Sequence, residues 1–198
     1  MTDAPQPSQP CDFRTIFDDC YEYVWASLRR LGVHHRDLDD LTDEVFLRVH
    51  AALSTYDPHR ALRPWVFAFA FRVASEYRRL ARHRVELGLE DDGSIDARPT
   101  PEEALANKEA YAIVDRALDA ISLNNRAVFV MYEIDGMEMR EIARTLEIPI
   151  NTAHSRLRLA RGVFEAKVRE LRAHDETMLR GGSAAPCVTR PQASRGFA

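Results

Sequence analysis

Two apolar stretches at helical spacing lie on either side of a short break in residues 136–161, GMEMREIARTLEIPINTAHSRLRLAR. The first stretch places four residues on one face: Met139, Ile142, Ala143 and Leu146. The second places six on one face: Ala153, Leu157, Ala160, Phe164, Val168 and Leu171. Steps of three and four residues favour helices over strands. Pro149 lies in the break and Asn151 is placed to cap the second helix, so the pattern predicts a helix-turn-helix.

The outward positions of the second helix are polar and basic. They are Asn151, Thr152, His154, Ser155, Arg156, Arg158 and Arg161. In a helix-turn-helix the first residues of this helix enter the major groove, where arginine contacts guanine or phosphate and serine or threonine contacts either. The pattern therefore indicates duplex DNA binding. It leaves open an amphipathic helical hairpin with a solvated basic face.

The apolar pattern of the remaining chain also predicts helices. We expect them over residues 11–31, ended by Gly32, and then over about 38–53, 65–84, 101–120 and 124–135. Residues 1–10 are rich in proline, glutamine and serine, and residues 173–198 have no apolar periodicity, so both segments are predicted to be disordered. The expected fold class is all-α, with two small helical domains at residues 11–84 and 110–172 and a flexible acidic linker at 85–109.

The net charge of −4 over 198 residues hides a segmental pattern. Residues 12–57 carry ten acidic and five basic residues, which predicts either a solvated acidic face or a docking surface for a basic partner. Residues 54–84 carry seven arginines against two acids, together with Trp65 and other aromatic residues. A basic helix with aromatic side chains can hold a phosphate backbone and stack unpaired bases, although core packing explains most of these aromatics, Phe69 among them.

Several classes of protein are disfavoured by what the sequence contains. The three cysteines have no zinc-ligand spacing, and there is no nucleophile elbow, phosphate-binding glycine loop or metal-ligand motif, so neither an enzyme nor a cofactor is predicted. No apolar run reaches the roughly 20 residues of a membrane span, and the first residues do not resemble a signal peptide. A cytoplasmic protein is expected.

Three groups of residues resemble one family. Residues 40–49, DLTDEVFLRV, resemble the D-L-T-Q-E-V-F-L-R-V signature in region 2 of bacterial sigma factors. Residues 63–67 and 77–79 resemble the R-A-W-L-F and Y-x-R-R pieces that follow it. Glu141-Ile142-Ala143, Ile148-Pro149, Thr152, Ser155-Arg156-Leu157 and Ala160-Arg161 resemble the region 4 helix-turn-helix. The presence of these two regions in this order is similar to the extracytoplasmic-function (ECF, group 4) sigma factors of the sigma-70 family.

The resemblance implies binding to core RNA polymerase and direction of the polymerase to promoters. It places Asp40, Asp43, Glu44 and Arg48 against the polymerase clamp. It assigns recognition and melting of the −10 element, as single-stranded DNA, to Tyr56, His59, Arg60, Arg63, Trp65, Arg72, Glu76, Arg78 and Arg79. It assigns reading of the −35 duplex to the outward residues of the second helix, from Asn151 to Arg161. An anti-sigma factor is a further partner that the resemblance allows.

The chain departs from the family pattern at five positions. Asp43 replaces the family's glutamine, Arg72 its asparagine, Glu76 its aspartate, Glu147 the turn glycine, and Leu159 a residue that is often basic. Two rival hypotheses remain. A stand-alone helix-turn-helix regulator leaves residues 40–49 and the basic helix unexplained. A protein that binds polymerase without starting transcription explains the same motifs.

Overall fold

The computed structural model describes residues 12–86 and 105–181, and every regular element in these two ranges is a helix. The N-terminal bundle contains α1 (Phe13–Arg30), α2 (Leu38–Ala52) and α3 (Leu62–Glu86). The C-terminal bundle contains α4 (Leu105–Asp119), α5 (Leu123–Phe129), α6 (Met139–Thr145) and α7 (Ile150–Gly181). The predicted all-α fold is confirmed.

The N-terminal bundle buries one apolar stripe from each of its helices. The stripe of α1 has four-residue spacing through Ile16, Cys20, Val24 and Leu28, and α2 and α3 contribute residues such as Val45 and Phe67. The chain leaves α1 through Gly32, which has a φ of +88°. The Val33 N–H donates to the Leu28 carbonyl and the Gly32 N–H to the Arg29 carbonyl, a Schellman motif that satisfies the last carbonyls of α1.

The C-terminal bundle carries the predicted helix-turn-helix in α6 and α7. Helix α5 continues into one turn of π-helix, Val130–Ile134, before the chain reverses at Gly136. Helix α6 ends in a second Schellman motif, in which the Ile148 N–H donates to the Ala143 carbonyl. The left-handed residue of this motif is Glu147, with a φ of +54°. Glutamate therefore holds a backbone position that glycine usually holds, at a cost of about 1–2 kcal/mol.

Some helix boundaries differ from those predicted. Helix α7 begins at Ile150, and the Pro149 carbonyl accepts from the N–H groups of Thr152 and Ala153, so Asn151 lies within the first turn and is not the cap. Helix α3 begins at Leu62, three residues earlier than expected, with Pro64 still in the first turn. Helix α7 continues to Gly181, so residues 173–181, predicted to be part of a disordered tail, are helical. Most of the predicted linker, and residues 1–10 and 182–198, lie outside the described residues.

The two bundles pack against each other and share one continuous set of buried apolar residues. Helix α3 lies against α6, and α1 lies against the α4–α5 side of the C-terminal bundle. Arg126 of α5 is 1% exposed and reaches the turn at Gly32. No helix within residues 12–86 and 105–181 has the length and apolar character needed to cross a membrane.

Candidate nucleic-acid interface

The first turns of α7 present an open polar surface. The side chains of Asn151, His154, Ser155 and Arg158 are exposed, and those of Thr152 and Arg156 are partly exposed. On the inner face Ala153, Leu157 and Ala160 are buried against the rest of the C-terminal bundle, which fixes the direction of the outer face. We find no ion pair or side-chain hydrogen bond from these six polar residues to any other described residue. Their donors are therefore available to a ligand.

Arg161 differs from the other predicted residues of this surface because its guanidinium is already bound. Its Nε donates to the Glu133 carboxylate at 2.5 Å, and the group lies over the Tyr132 ring, 5.5 Å from the centroid. The hydrogen bond to Glu133 raises the pKa of Arg161 above its ordinary value. Both partners come from the π-helical turn, so Arg161 also ties α7 to the end of α5.

A second surface lies where the loop after α2 meets the start of α3. The Tyr56 and Trp65 rings are 4.8 Å apart, and Trp65 meets Phe69 edge-on at 5.1 Å. The Tyr56 hydroxyl donates to the Arg60 carbonyl, and the Asp57 carboxylate accepts from the His59 N–H. These two bonds fold the loop back on itself, so His59 and Arg60 are exposed beside the aromatic residues.

A groove of about 490 Å³ begins at this aromatic cluster. One wall comes from the N-terminal bundle and includes Trp65, Phe69 and Arg72. The opposite wall comes from α6 and the turn after it, and includes Arg144 and Glu147. The predicted −10 surface therefore faces the helix-turn-helix across the groove. Phe69, expected to be a core residue, is only partly buried and lines this groove.

The basic residues along α3 are held by partners within the chain. Arg72 forms an ion pair with Glu147 at 3.3 Å and lies over the Phe69 ring. Arg78 donates to the Leu31 carbonyl at 3.2 Å, and Arg63 lies over the Tyr23 ring of α1. Arg79 is exposed. Most of these groups are thus engaged in the isolated chain, unlike the six polar residues in the first turns of α7.

The Arg48 side chain joins two surfaces that the sequence predicted separately. It donates to Glu44 on its own helix and to Glu76 on α3, at 2.5 and 2.6 Å. The hydrogen bond from Arg48 is the main cause that lowers the pKa of Glu76. Glu76, predicted to contact the −10 element, is therefore engaged in holding α3 to α2.

The outer face of α2 is acidic, with one apolar side chain in its middle. Asp40 and Asp43 are exposed and Glu44 is partly exposed. Leu47 is 71% exposed, the most exposed large apolar residue in the described chain. Sequence reasoning missed Leu47, although its position on the side of α2 opposite the apolar stripe is visible in the helical spacing.

The contact between the bundles contains buried polar groups. The Tyr23 hydroxyl donates to Asp135 at 2.9 Å, and burial raises the pKa of the Asp135 carboxyl above its ordinary value. Arg126 donates to Asp119 and to the Ile121 carbonyl, while its Nη2 atom has no partner. Burial lowers the pKa of Arg126 to about 10, so it stays charged at neutral pH.

Within the described ranges, no cluster of histidine, cysteine or acidic side chains has the arrangement of a metal site. Cys20 is a free thiol, 2% exposed, and burial raises its pKa. Its position within the apolar stripe of α1 gives it a packing role.

Comparison with known proteins places both bundles in one family. Residues 16–84 match the model described as sigma-70 region 2, and residues 111–162 match the model described as sigma-70, region 4. The chain is 27% identical to the ECF RNA polymerase sigma-E factor of Escherichia coli (strain K12) over 160 residues, which cover 76% of this chain and 84% of that protein. It is 31% identical to the ECF RNA polymerase sigma factor SigE of Mycolicibacterium smegmatis over 140 residues, covering 70% of this chain and 54% of the relative.

The fold is similar to that of the sigma factor RpoE from Bartonella quintana, solved in complex with the anti-sigma factor NepR. The TM-score is 0.67 at 18% identity, and the similarity covers 80% of this chain and 97% of that one. At this identity the likeness concerns the fold alone.

Proposed function

Because the chain belongs to the sigma-70 family, and within it to the extracytoplasmic-function group, we propose that its two bundles divide promoter recognition between them. In this proposal the N-terminal bundle binds core RNA polymerase and opens the −10 element, and α7 of the C-terminal bundle reads the −35 element as a duplex. The observation that carries the proposal is the outer face at the start of α7, where the polar side chains from Asn151 to Arg158 have no ion pair or side-chain hydrogen bond to another described residue.

For the −35 element we propose that the first turns of α7 enter the major groove. Asn151, Thr152, His154 and Ser155 lie in the first two turns, where a recognition helix contacts base edges. Arg156 and Arg158 have the reach for guanine or for phosphate. Arg161 lies one to two turns further along the helix and is oriented by Glu133, which suits a phosphate contact at the edge of the groove more than base reading.

For the −10 element we propose that an unpaired base stacks on the Tyr56–Trp65–Phe69 cluster. Extracting a base costs a few kcal/mol, and stacking on an aromatic side chain returns about 1–3 kcal/mol. His59, Arg60 and Arg63 would hold the neighbouring phosphates at the loop, and Arg72, Arg78 and Arg79 those along α3. Phosphate contacts supply the rest of the free energy and make binding salt-dependent.

For the polymerase we propose the outer face of α2 as the docking surface. Asp40, Asp43 and Glu44 provide a negative rim, and Leu47 provides an apolar centre. An apolar centre surrounded by a polar rim is the usual anatomy of a protein–protein interface. Arg48 orients Glu44 of this surface and ties α2 to α3 through its hydrogen bonds to Glu44 and Glu76. The proposal places the protein in the cytoplasm, where the polymerase transcribes, and gives it no catalytic chemistry of its own.

An anti-sigma factor is the regulatory partner that we propose. The support is the family and the similar fold of a sigma factor bound to an anti-sigma factor.

The test is co-purification with core RNA polymerase, followed by run-off transcription on genomic fragments. We expect stable binding and promoter-specific transcripts. Asp40→Arg should abolish binding without loss of helical content, whereas Asp19→Arg, a matched reversal of an exposed charge on α1, should bind normally. Binding without transcripts would favour the polymerase-binding protein that does not initiate. Duplex DNA binding without polymerase binding would favour the stand-alone regulator.

A further inference from the structure

Three ion pairs among the described residues join the two bundles, and all have the same polarity. Arg29 pairs with Asp115 at 2.6 Å, Arg30 with Asp135 at 3.7 Å, and Arg72 with Glu147 at 3.3 Å. In each pair the N-terminal bundle supplies the arginine and the C-terminal bundle supplies the acid. The described part of the C-terminal bundle therefore places carboxylates against arginines of the N-terminal bundle. One of these arginines, Arg72, is proposed to hold a DNA phosphate.

The pair at the groove joins two departures from the family pattern. Arg72 and Glu147 are two of the positions at which the chain differs from the pattern that it resembles, and the structure brings these two residues together. Glu147 is the one non-glycine residue with a positive φ in the described ranges. Its backbone conformation is unfavourable for a residue with a side chain. The same turn with glycine would be less strained but would place no carboxylate on Arg72.

The position of Glu147 also matters for access. It lies on the α6 wall of the groove, opposite Trp65 and Phe69. A DNA strand that stacks a base on these rings has to enter the same groove and bring its phosphates near Arg72. Glu147 therefore pairs with Arg72, which the strand would need as a phosphate contact, and fills part of the groove that the strand would have to enter.

We propose that Glu147 is an internal competitor of DNA phosphate, which holds Arg72 and keeps the bundles closed until single-stranded promoter DNA displaces it. The displacement step rests on the proposed function of the −10 surface. The closed state of the free chain does not depend on it.

The ion pair between Arg72 and Glu147 is weak enough for DNA to displace Glu147. Arg72 and Glu147 have side chains that are 53% and 78% exposed, so their attraction is screened by water and salt. An exposed pair of this kind shifts an equilibrium by at most about five-fold. A DNA strand brings several phosphates, each of which releases counterions on binding, and so outcompetes one carboxylate.

A second contact makes the closed state easy to leave. Arg126 is buried where the bundles meet, and its Nη2 atom has no hydrogen-bond partner. A buried charge without full pairing opposes burial, so hydration of Arg126 favours separation. The bundles are therefore held by shared apolar burial and screened ion pairs, opposed by an incompletely paired buried cation, and a change at Glu147 should move the equilibrium by the small factor of an exposed ion pair.

The test of the closed state uses distances between spin labels in the full-length chain without DNA. Labels are attached through Thr15→Cys on α1 and Ala166→Cys on α7, both exposed positions, with Cys11 and Cys187 changed to serine. Cys20 is 2% exposed and stays unlabelled. Glu147→Gln removes the charge and keeps the strained turn, Glu147→Gly removes both, and Glu22→Gln is the control on an exposed carboxylate without an ion pair in the described chain.

We expect Glu147→Gln and Arg72→Gln each to raise the separated fraction about two- to five-fold. The double reversal Arg72→Glu with Glu147→Arg should restore the closed distances, and added salt should separate the original chain more than the glutamine variants. Glu22→Gln should change nothing. Unchanged distances in both glutamine variants, or no recovery in the double reversal, would overturn the proposal.

The displacement step is tested with a short oligodeoxythymidylate as the DNA probe. Its addition should separate the labels of the original chain, and Glu147→Gln should bind it about two- to five-fold more tightly because no closed state competes. Equal affinity for the two chains would overturn displacement. If neither chain binds the oligonucleotide, the −10 role fails together with displacement, while the DNA-free distances still decide whether Glu147 closes the bundles.

Discussion

The two surfaces proposed to contact DNA differ in what holds their side chains in the free chain. On α7, Ser155 and Arg158 project into solvent and have no partner among the described residues. On α3, Arg72 and Arg78 are engaged by Glu147 and by the Leu31 carbonyl. The side chains of a surface that binds duplex DNA can be unpaired in the free protein, because duplex DNA is present before the strands open. A surface for unpaired bases captures each base as it leaves the duplex, and a surface that an ion pair covers until then suits that order.

The largest effect should come from Trp65, the centre of the covered surface. Trp65→Ala removes a stacking platform worth about 1–3 kcal/mol and its contacts with Tyr56 and Phe69. We expect strand opening to fall about ten- to a hundred-fold while duplex binding is kept. Permanganate reactivity of unpaired thymines measures opening.

A Trp65→Phe variant is the matched control, because it retains a ring and should keep most of the opening. Loss of duplex binding in Trp65→Ala would show that the two surfaces are not separate in function.

On the open surface, Arg156→Ala should weaken binding to a −35 duplex by about 1–3 kcal/mol and relax the base preference at one position. The cause is the loss of a cationic donor at the start of α7, with no partner left unpaired inside the protein. Fluorescence anisotropy with a set of single-base duplex variants measures both effects. Arg169→Ala, an exposed arginine on the same helix several turns away, should leave the preference unchanged.

The contact between the two bundles should weaken when Tyr23 loses its hydroxyl. Tyr23→Phe leaves the buried Asp135 carboxylate without its 2.9 Å donor, at a cost of about 1–2 kcal/mol in unfolding free energy. Urea denaturation measures the loss, and Tyr21→Phe should show none, since the Tyr21 hydroxyl has no such bond in the described chain. An effect of Tyr23→Phe on −35 duplex affinity would contradict the independence of the open surface.

The smallest effect should come from Arg161, which is bound to Glu133 and is proposed to contact a phosphate and no base. Arg161→Ala should lower duplex affinity by a similar factor for all sequences and reduce the slope of log affinity against log salt by about one. Affinity titrations at several salt concentrations measure the slope. A change in base preference would mean that Arg161 leaves Glu133 and reads a base.

The sequence predicted the all-α fold and the outward positions at the start of α7, because both depend on local pattern; that these positions bind DNA stays a prediction. Apolar spacing in α1 and α7 is enough to identify buried faces such as Val24 and Leu157. The outward residues of α7 then follow from helical geometry alone. The predicted disorder of residues 1–10 and 182–198, and the predicted domain boundaries at the linker, stay predictions.

The partners of α3 could not be predicted from the sequence, because they are far apart along the chain. Nothing near Arg72 in sequence indicates Glu147, and nothing near Glu76 singles out Arg48 over other basic residues. Leu47 was overlooked for a different reason: a single apolar residue on an acidic face carries little weight in a pattern until its exposure is known.

Gly32 shows how one position can carry two independent constraints. Its φ of +88° is a requirement of the turn, and asparagine or aspartate can meet that requirement at modest cost. A Cβ atom there would lie 2.7 Å from Arg126 Nη1 and 2.8 Å from Arg78 Nη1, so any side chain would also have to displace two guanidinium groups from different bundles. Because Arg78 belongs to the same bundle as Gly32, its contact would remain with the bundles apart, whereas the contact with Arg126 exists only in the closed state. Asparagine at position 32 should therefore be tolerated better by a chain whose bundles work apart than by a chain that depends on the closed state.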